Sequence, residues 1–135
     1  MITLEQAKKA IEASEDKAKE IGIAVTTAVV DEHGVVIALG RMDGALLISP
    51  RFAQKKAYTA AMLKMPSEAP AGYAAEGQPY FSINTAFEGD IVLIAGGVPV
   101  THGETVIGGV GVGGSADVSQ DKQCALAAVS VLEGK

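Results

Sequence analysis

The sequence predicts an α+β fold in which one antiparallel sheet of about five strands packs against three helices. Apolar residues recur at helical spacing in three segments, and β-branched runs lie between these segments, joined by short turns. Strands linked by short turns pair antiparallel. The predicted element order is α-β-β-α, a long loop, then β-β-β-α. Because 48% of the 135 residues are hydrophobic, we expect residues 1–135 to form a single domain with its own core.

Local signals predict the N-terminal helix and the first hairpin. Thr3 and Gln6 have the spacing of a capping box ahead of an apolar stripe, and Gly22 supplies the stop. Residues 23–31 and 35–39 are rich in β-branched side chains, and a glycine-containing turn separates them. These two runs therefore predict a β-hairpin.

The second helix is predicted to begin at Ser49, which would cap it through its hydroxyl, with Pro50 in the first turn. One face of this helix carries almost only alanine, at Ala53, Ala57, Ala60 and Ala61. The next residues, 65–90, hold three of the five prolines and four of the six aromatic residues. A connection of this length in a small domain indicates a functional or interface segment.

The second half of the chain contains the remaining elements. Three further strands are expected, at 91–95, 98–100 and 104–114. Asp117 or Ser119 is expected to cap a last helix that ends near Leu132.

Eight of the 16 glycines lie within residues 95–115, inside this strand region. Because strand side chains alternate between faces, Gly109, Gly111 and Gly113 make one face of the last strand nearly bare backbone. Close packing of the alanine-faced helix explains that pattern without a ligand, and a second copy of the chain or a flat ligand are the alternatives. Gly96-Gly97 ahead of Val98-Pro99 predicts a bulge or tight turn whose amide groups can bind an anion.

Two cationic side chains are candidates for a functional site. Arg41 can hold a carboxylate or phosphate with two hydrogen bonds, although the neighbouring Asp43 is also ordinary turn chemistry. Lys56 lies in mid-helix on a partly apolar face. It either covers the edge of the core with its stem, or reaches into a pocket and pairs with Asp43 or Asp31.

His33 and His102 are the only histidines, each beside a glycine in a predicted turn, and Cys124 is the only cysteine. Their spacing fits no recognised zinc site, so no metal site is predicted from them. A single imidazole suffices as an axial haem ligand, which either histidine could supply. Cys124 lies in an apolar helical pattern typical of a buried, unreactive thiol.

The charge pattern and the N-terminus narrow the classes of function. The net charge is −5 and the basic residues are scattered, which argues against nucleic acid or an anionic membrane as a partner. The N-terminal residues lack a signal-peptide pattern, and no apolar stretch is long enough to span a bilayer. The chain is therefore expected to be cytoplasmic.

Five short motifs occur in a fixed order: RMDGA (41–45), KAYTA (56–60), GGVP (96–99), IGGVGVGG (107–114) and QD (120–121). With these motifs, residues 24–128 resemble the GlcG/HbpS family, which includes haem-binding HbpS proteins, glycolate-operon GlcG proteins and the C-terminal domain of PduO-type proteins. The resemblance implies a profilin-like α-β-α sandwich that assembles as a homo-oligomer, from dimers up to octamers. It also implies haem or a related tetrapyrrole as the ligand of some members, several of them encoded in catabolic operons.

The family's shared polar positions fall here on Arg41, Asp43, Lys56, Thr59 and the turn formed by Gly96, Gly97, Val98 and Pro99. The first functional hypothesis is a protein that binds haem or another tetrapyrrole at these positions and Tyr80, with His33 or His102 as any axial ligand. The alternative is a small enzyme acting on a carboxylate-bearing metabolite. Arg41 would hold the carboxylate, Lys56 or Asp43 would act as acid or base, and the turn amides would stabilise an oxyanion. A third possibility is an accessory protein that functions through assembly.

Overall fold

A computed structural model describes all residues of the chain, 1–135. It contains three α-helices, α1 (Leu4–Ile21), α2 (Ser49–Leu63) and α3 (Val118–Leu132), and four strands, β1 (Thr26–Asp31), β2 (Val36–Arg41), β3 (Gly97–His102) and β4 (Thr105–Gly113). The strands form one antiparallel sheet in the order β2-β1-β4-β3. Two hairpins are thus joined side by side through their central strands, β1 and β4.

The helices cover both faces of the sheet, which produces three layers. Helices α1 and α3 pack on one face over the larger core, which includes Val29, Val110 and Val112. Helix α2 packs on the other face over a smaller core built mainly of alanine. The predicted α+β sandwich is confirmed. No helix has both the length and the apolar character needed to cross a membrane.

The ends of the helices show which local signals were decisive. Thr3 and Gln6 form both bonds of the capping box, and Gly22 ends α1 in the left-handed conformation with φ +92°. Asp117, not Ser119, caps α3 by accepting from the Ser119 N–H. The expected cap of α2 is wrong. The Ser49 hydroxyl is buried and bonds to Leu46 O and the Thr26 hydroxyl, so it lies inside the helix and caps nothing.

The sheet has four strands where about five were expected, because residues 91–95 do not pair with another strand. Their polar backbone groups bond instead to hydroxyl side chains. The Val92 N–H donates to Thr59 Oγ1 at 2.9 Å, and Ile94 O accepts from the Ser67 hydroxyl at 2.5 Å. Gly96, at φ +129°, then turns the chain into β3. Residues 65–90 form only three short 3₁₀ turns.

The glycine face of β4 lies directly against α2. A Cβ atom at Gly111 would lie 2.0 Å from Ala53 O, and one at Gly109 would lie 2.7 Å from Ala57 O. Both distances are far shorter than van der Waals contact, so only glycine permits this approach. Packing of the alanine-faced helix therefore accounts for the stripe, and no ligand or second copy is needed there.

Candidate functional site

Helix α2 places Lys56 in the interior, where its side chain reaches the end of β4 and the first turn of α3. Its side chain is only 2% exposed, and its ammonium donates to Val112 O at 2.9 Å and to Asp121 Oδ2 at 3.1 Å. Asp121 is 1% exposed, and its second oxygen accepts from the Ser115 N–H at 3.0 Å. The ring centre of Phe52 lies 5.7 Å from Lys56 Nζ, within cation–π range. The partner of Lys56 is thus Asp121, not Asp43 or Asp31.

Burial shifts both members of this pair toward their neutral forms. Desolvation lowers the pKa of Lys56, and the charge of Asp121 only partly offsets that effect. Desolvation likewise raises the pKa of Asp121 against the opposing charge of Lys56. The cost of protonating Asp121 and deprotonating Lys56 is therefore smaller here than in water. Ionisable groups perturbed in this way are common at functional sites.

The ion pair lies at the wall of a cavity of about 140 Å³. Its other lining residues are mostly apolar and come from three parts of the chain: Leu46, Ile48, Phe52, Ile94, Gly114, Ser115 and Val118. Two open grooves share Phe52 with this cavity. One, of about 420 Å³, follows residues 91–94 and the 3₁₀ turns, and the other, of about 210 Å³, includes Arg51 and Lys55.

The cavity opens beneath a large apolar surface. Six of its side chains are more than a third exposed, and we call them the Phe52 surface: Leu46, Leu47, Ile48, Phe52, Ile94 and Val118. Contiguous exposed apolar surface of this kind marks binding sites or subunit contacts.

The glycine turn at 96–97 covers the lysine. A Cβ atom at Gly96 would lie 2.6 Å from Val112 O and 2.8 Å from Lys56 Nζ, and φ is positive, so only glycine suits this turn over the ammonium. The Gly97 N–H donates to the Ser67 hydroxyl at 2.9 Å and is therefore already occupied. Val98 and Pro99 lie within β3, opposite Val110 and Gly109. The turn thus lies against Lys56, but its Gly97 amide bonds within the protein.

Thr59 and Tyr80 occupy very different environments. Thr59 is fully buried, and its hydroxyl donates to Lys55 O at 2.8 Å while accepting from the Val92 N–H. It attaches the 90–92 segment to α2 beside the cavity. Tyr80 is 58% exposed in the 65–90 segment, where its backbone N–H donates to Tyr73 O and its carbonyl accepts from the Ile83 N–H.

Arg41 and Asp43 lie elsewhere. Both are exposed and line an open groove of about 430 Å³ together with Glu15 and Lys19 of α1. The structure does not bring them into the Lys56 cavity, so Arg41 and Lys56 do not line one pocket. Their roles in binding or catalysis remain predictions.

The two histidines lie at the opposite end of the sheet from Phe52. His33 lies in the β1–β2 turn and His102 at the β3–β4 turn, and both are exposed. Phe52 contacts the strand end near Gly113, which is five residues from the partner of Asp31 and eight residues from the partner of His102 on β4. At about 3.3 Å per residue, these positions are about 17 Å and about 26 Å from the Phe52 end. Neither histidine lines the Phe52 cavity or its grooves.

Residue type and spacing alone do not identify Asp121 as a site residue. It stands in the QD motif, which contributed to the family resemblance, but in sequence it looks like an ordinary acidic residue in the first turn of a helix. Only the folded structure shows that the Lys56 side chain reaches Asp121 near the end of β4. The sequence signal that could have indicated Asp121 is an acidic residue on a helix face that is otherwise apolar.

The fold and the site together define a class: a small α-β-α sandwich with an apolar cavity closed by a buried lysine–aspartate pair. Residues 2–130 match the family described as haem degrading protein HbpS-like. The chain belongs to this HbpS-like family, and the resemblance based on its motifs is confirmed.

Individual relatives agree with this assignment. An uncharacterised 15.0 kDa protein of the dhaT-dhaS intergenic region of Citrobacter freundii is 37% identical over 121 residues, covering 90% of this chain and 84% of that protein. The crystal structure of Klebsiella pneumoniae protein ORFY has a TM-score of 0.95 at 34% identity, covering 99% of this chain and 92% of that one. The structure of a PduOC:heme complex has a TM-score of 0.89 at 28% identity, covering 94% of this chain and 91% of that one.

Proposed function

We propose that this protein binds haem or a related tetrapyrrole on the Phe52 surface. The observation that carries the proposal is the likeness of nearly the whole chain to a structure described as a haem complex, within a family described as haem degrading. In this chain the Phe52 surface supports it, because a macrocycle needs an apolar area to cover its flat face.

The side chains around this surface fit the macrocycle and its carboxylates. Phe52 and Ile48 would cover a ring face, and Arg51 in the adjoining groove would pair with a carboxylate. Haem, when bound, supplies a redox-active iron. The histidines lie at least about 17 Å away along the sheet, so histidine ligation at this surface does not fit a single copy of the chain.

A homo-oligomer follows from the same surface. The exposed side chains Leu46, Leu47 and Ile48 form a continuous apolar run at the start of α2. Burying them against a second copy would also enclose a ligand that one copy leaves open to solvent. We therefore propose a ligand-binding dimer or larger assembly, located in the cytoplasm, with no nucleic acid or membrane partner.

Absorption spectra recorded while haemin is titrated into the purified protein test the proposal. We expect a shifted Soret band that saturates. Ile48→Asp should weaken it, and Leu126→Asp, a similarly exposed leucine on α3, should not. A spectrum identical to that of free haemin contradicts haem as the ligand. Weakening by His33→Ala or His102→Ala, with Ile48→Asp unchanged, places the ligand at the other end of the sheet.

The alternative, an enzyme acting on a small carboxylate-bearing metabolite, is favoured by one observation. The buried Lys56–Asp121 pair opens to a cavity that is small for a macrocycle but suited to a metabolite. Lys56 would act as acid or base, and Arg41 and Asp43 would require a different groove for any role. Loss of turnover in Lys56→Ala with activity kept in Lys55→Ala supports it, and full activity of Lys56→Ala contradicts it.

A further inference from the structure

Lys56 is an unusual residue for its position on α2. Its neighbours on the helix, Ala53, Ala57 and Ala60, are all completely buried against the sheet. A buried ion pair seldom stabilises a fold more than an apolar pair of similar size does, because desolvation offsets the attraction. Stability therefore does not explain why an amine stands at this point.

The Lys56 ammonium has one N–H beyond the two that bond to protein, and it lines a cavity. An ammonium has three N–H donors, and two are used by Val112 O and Asp121 Oδ2. Lys56 lines the 140 Å³ cavity, whose polar lining side chains besides it are Asp121 and Ser115. A protein cavity of about 150 Å³ holds a molecule the size of benzene. An occupant would have at most about six non-hydrogen atoms, with one polar end at Lys56.

We propose that Lys56 Nζ is a nucleophile that condenses reversibly with a small aldehyde or ketone in this cavity. The neutral amine adds to the carbonyl carbon to form a carbinolamine. A proton passes to the hydroxyl group, which leaves as water while the C=N bond forms. One carbonyl compound and one amine thus give one imine and one water, with no oxidant or reductant involved.

Asp121 is positioned to serve this step. The Ser115 N–H holds one carboxylate oxygen, which leaves Asp121 Oδ2 facing Lys56 Nζ. A carboxyl group at this point can supply the proton that the departing hydroxyl needs and recover it afterwards. The protonated imine keeps one positive charge beside Asp121, so the buried charges stay paired throughout.

Burial favours a reactive amine, although the charge of Asp121 partly opposes it. Burial lowers the pKa of Lys56, which increases the fraction of neutral nucleophile. From α3, Asp121 faces the amine directly, and Asp117 acts on Asp121 from the preceding turn. From α2, Lys55 pairs with Asp90 instead. The residues of β4 and of the 94–97 turn that contact Lys56 are not titratable.

The neighbouring lysine gives an internal control. The full-length protein is incubated with propionaldehyde and cyanoborohydride at neutral pH, and fragment masses report propylation at Lys56 and Lys55 in the same molecules. Burial lowers the pKa of Lys56 and so leaves more of its amine neutral, and we therefore expect Lys56 to react faster than Lys55. Naphthaldehyde, too large for the cavity, should modify Lys55 but not Lys56. In urea the two lysines should react equally.

The decisive comparison is made in folded wild-type protein and needs no variant to fold. Lys56 left unmodified, or modified no faster than Lys55, overturns the proposal, as does equal modification of Lys56 by naphthaldehyde. Lys56→Arg should remove the fast site and Lys55→Arg should keep it. The proposal does not rest on tetrapyrrole binding, which the haemin spectra measure separately.

Discussion

Replacing Gly111 by alanine should destabilise the protein more than most single substitutions, because the obstructing atoms are helix backbone. The new Cβ would lie 2.0 Å from Ala53 O and 2.4 Å from Ala57 N, whereas ordinary contact begins at 3.4 Å. Helix α2 would have to withdraw by about 1.4 Å along the centre of the sheet. A gap of about 1 Å already costs up to half of the dispersion energy of a contact.

Overpacking by added methylenes typically costs about 1–3 kcal/mol, and a clash with backbone belongs at or above the upper end. We therefore expect a loss of about 3 kcal/mol or more in the free energy of unfolding, which lowers Tm by about 10 °C in a domain of this size. Thermal and urea unfolding followed by circular dichroism measure it.

Gly72→Ala is the matched control for this substitution. Its Cβ meets nothing within 4 Å and its φ is not positive, so it should change stability by less than about 0.5 kcal/mol. The close packing of α2 on the glycine stripe is refuted if Gly111→Ala melts within about 2 °C of the wild type.

Three further predictions concern buried or partly buried side chains. Lys56→Met should lower the free energy of unfolding by about 3–5 kcal/mol, because it leaves the buried Asp121 carboxylate without a partner. The double variant Lys56→Met with Asp121→Leu should recover most of this stability in urea unfolding. Additive losses from the two substitutions would contradict the pairing. Partial burial acts to raise the pKa of Glu133, but its hydrogen bonds with Thr101 outweigh this and hold the pKa below 4.5. A group whose pKa is lower in the folded state stabilises the fold at higher pH. Glu133→Gln should therefore lower the free energy of unfolding by about 1 kcal/mol at neutral pH. The difference in stability between variant and wild type should narrow as the pH falls below 4.5, and a widening difference would contradict this assignment. Burial raises the pKa of the Cys124 thiol to about 11, so Ellman's reagent should react with it only in denatured protein, and rapid reaction of the native protein would contradict its burial.

Local chemistry predicted most of the fold because each signal acts within a few residues. The capping box at Thr3, the stop at Gly22 and the two hairpin turns depend on side chains close in sequence. The apolar run at 91–95 has the same composition as a strand. It fails to become one because its hydrogen bonds go to Thr59 and Ser67, which are far away in the sequence.

The site was harder to predict, because it depends on long-range geometry. Lys56 and the Gly96 turn lie against each other. The carboxylate partner comes from α3, 65 residues away, and no spacing rule points to it. Arg41 belongs to the same ordered set of motifs as Lys56, but it lies at the end of β2 in a groove lined by residues of α1. Motif order establishes family membership but not which motifs lie together.

The position of the ligand is the most direct test of the central claim, that the Phe52 surface is the binding site. Amide NMR spectra of isotopically labelled protein, recorded while zinc protoporphyrin is added, report that position residue by residue. We predict the largest shifts at residues 46–52 and 91–96, next to the buried Lys56. Shifts concentrated at the turns that carry His33 and His102, or no shifts at all, would contradict it.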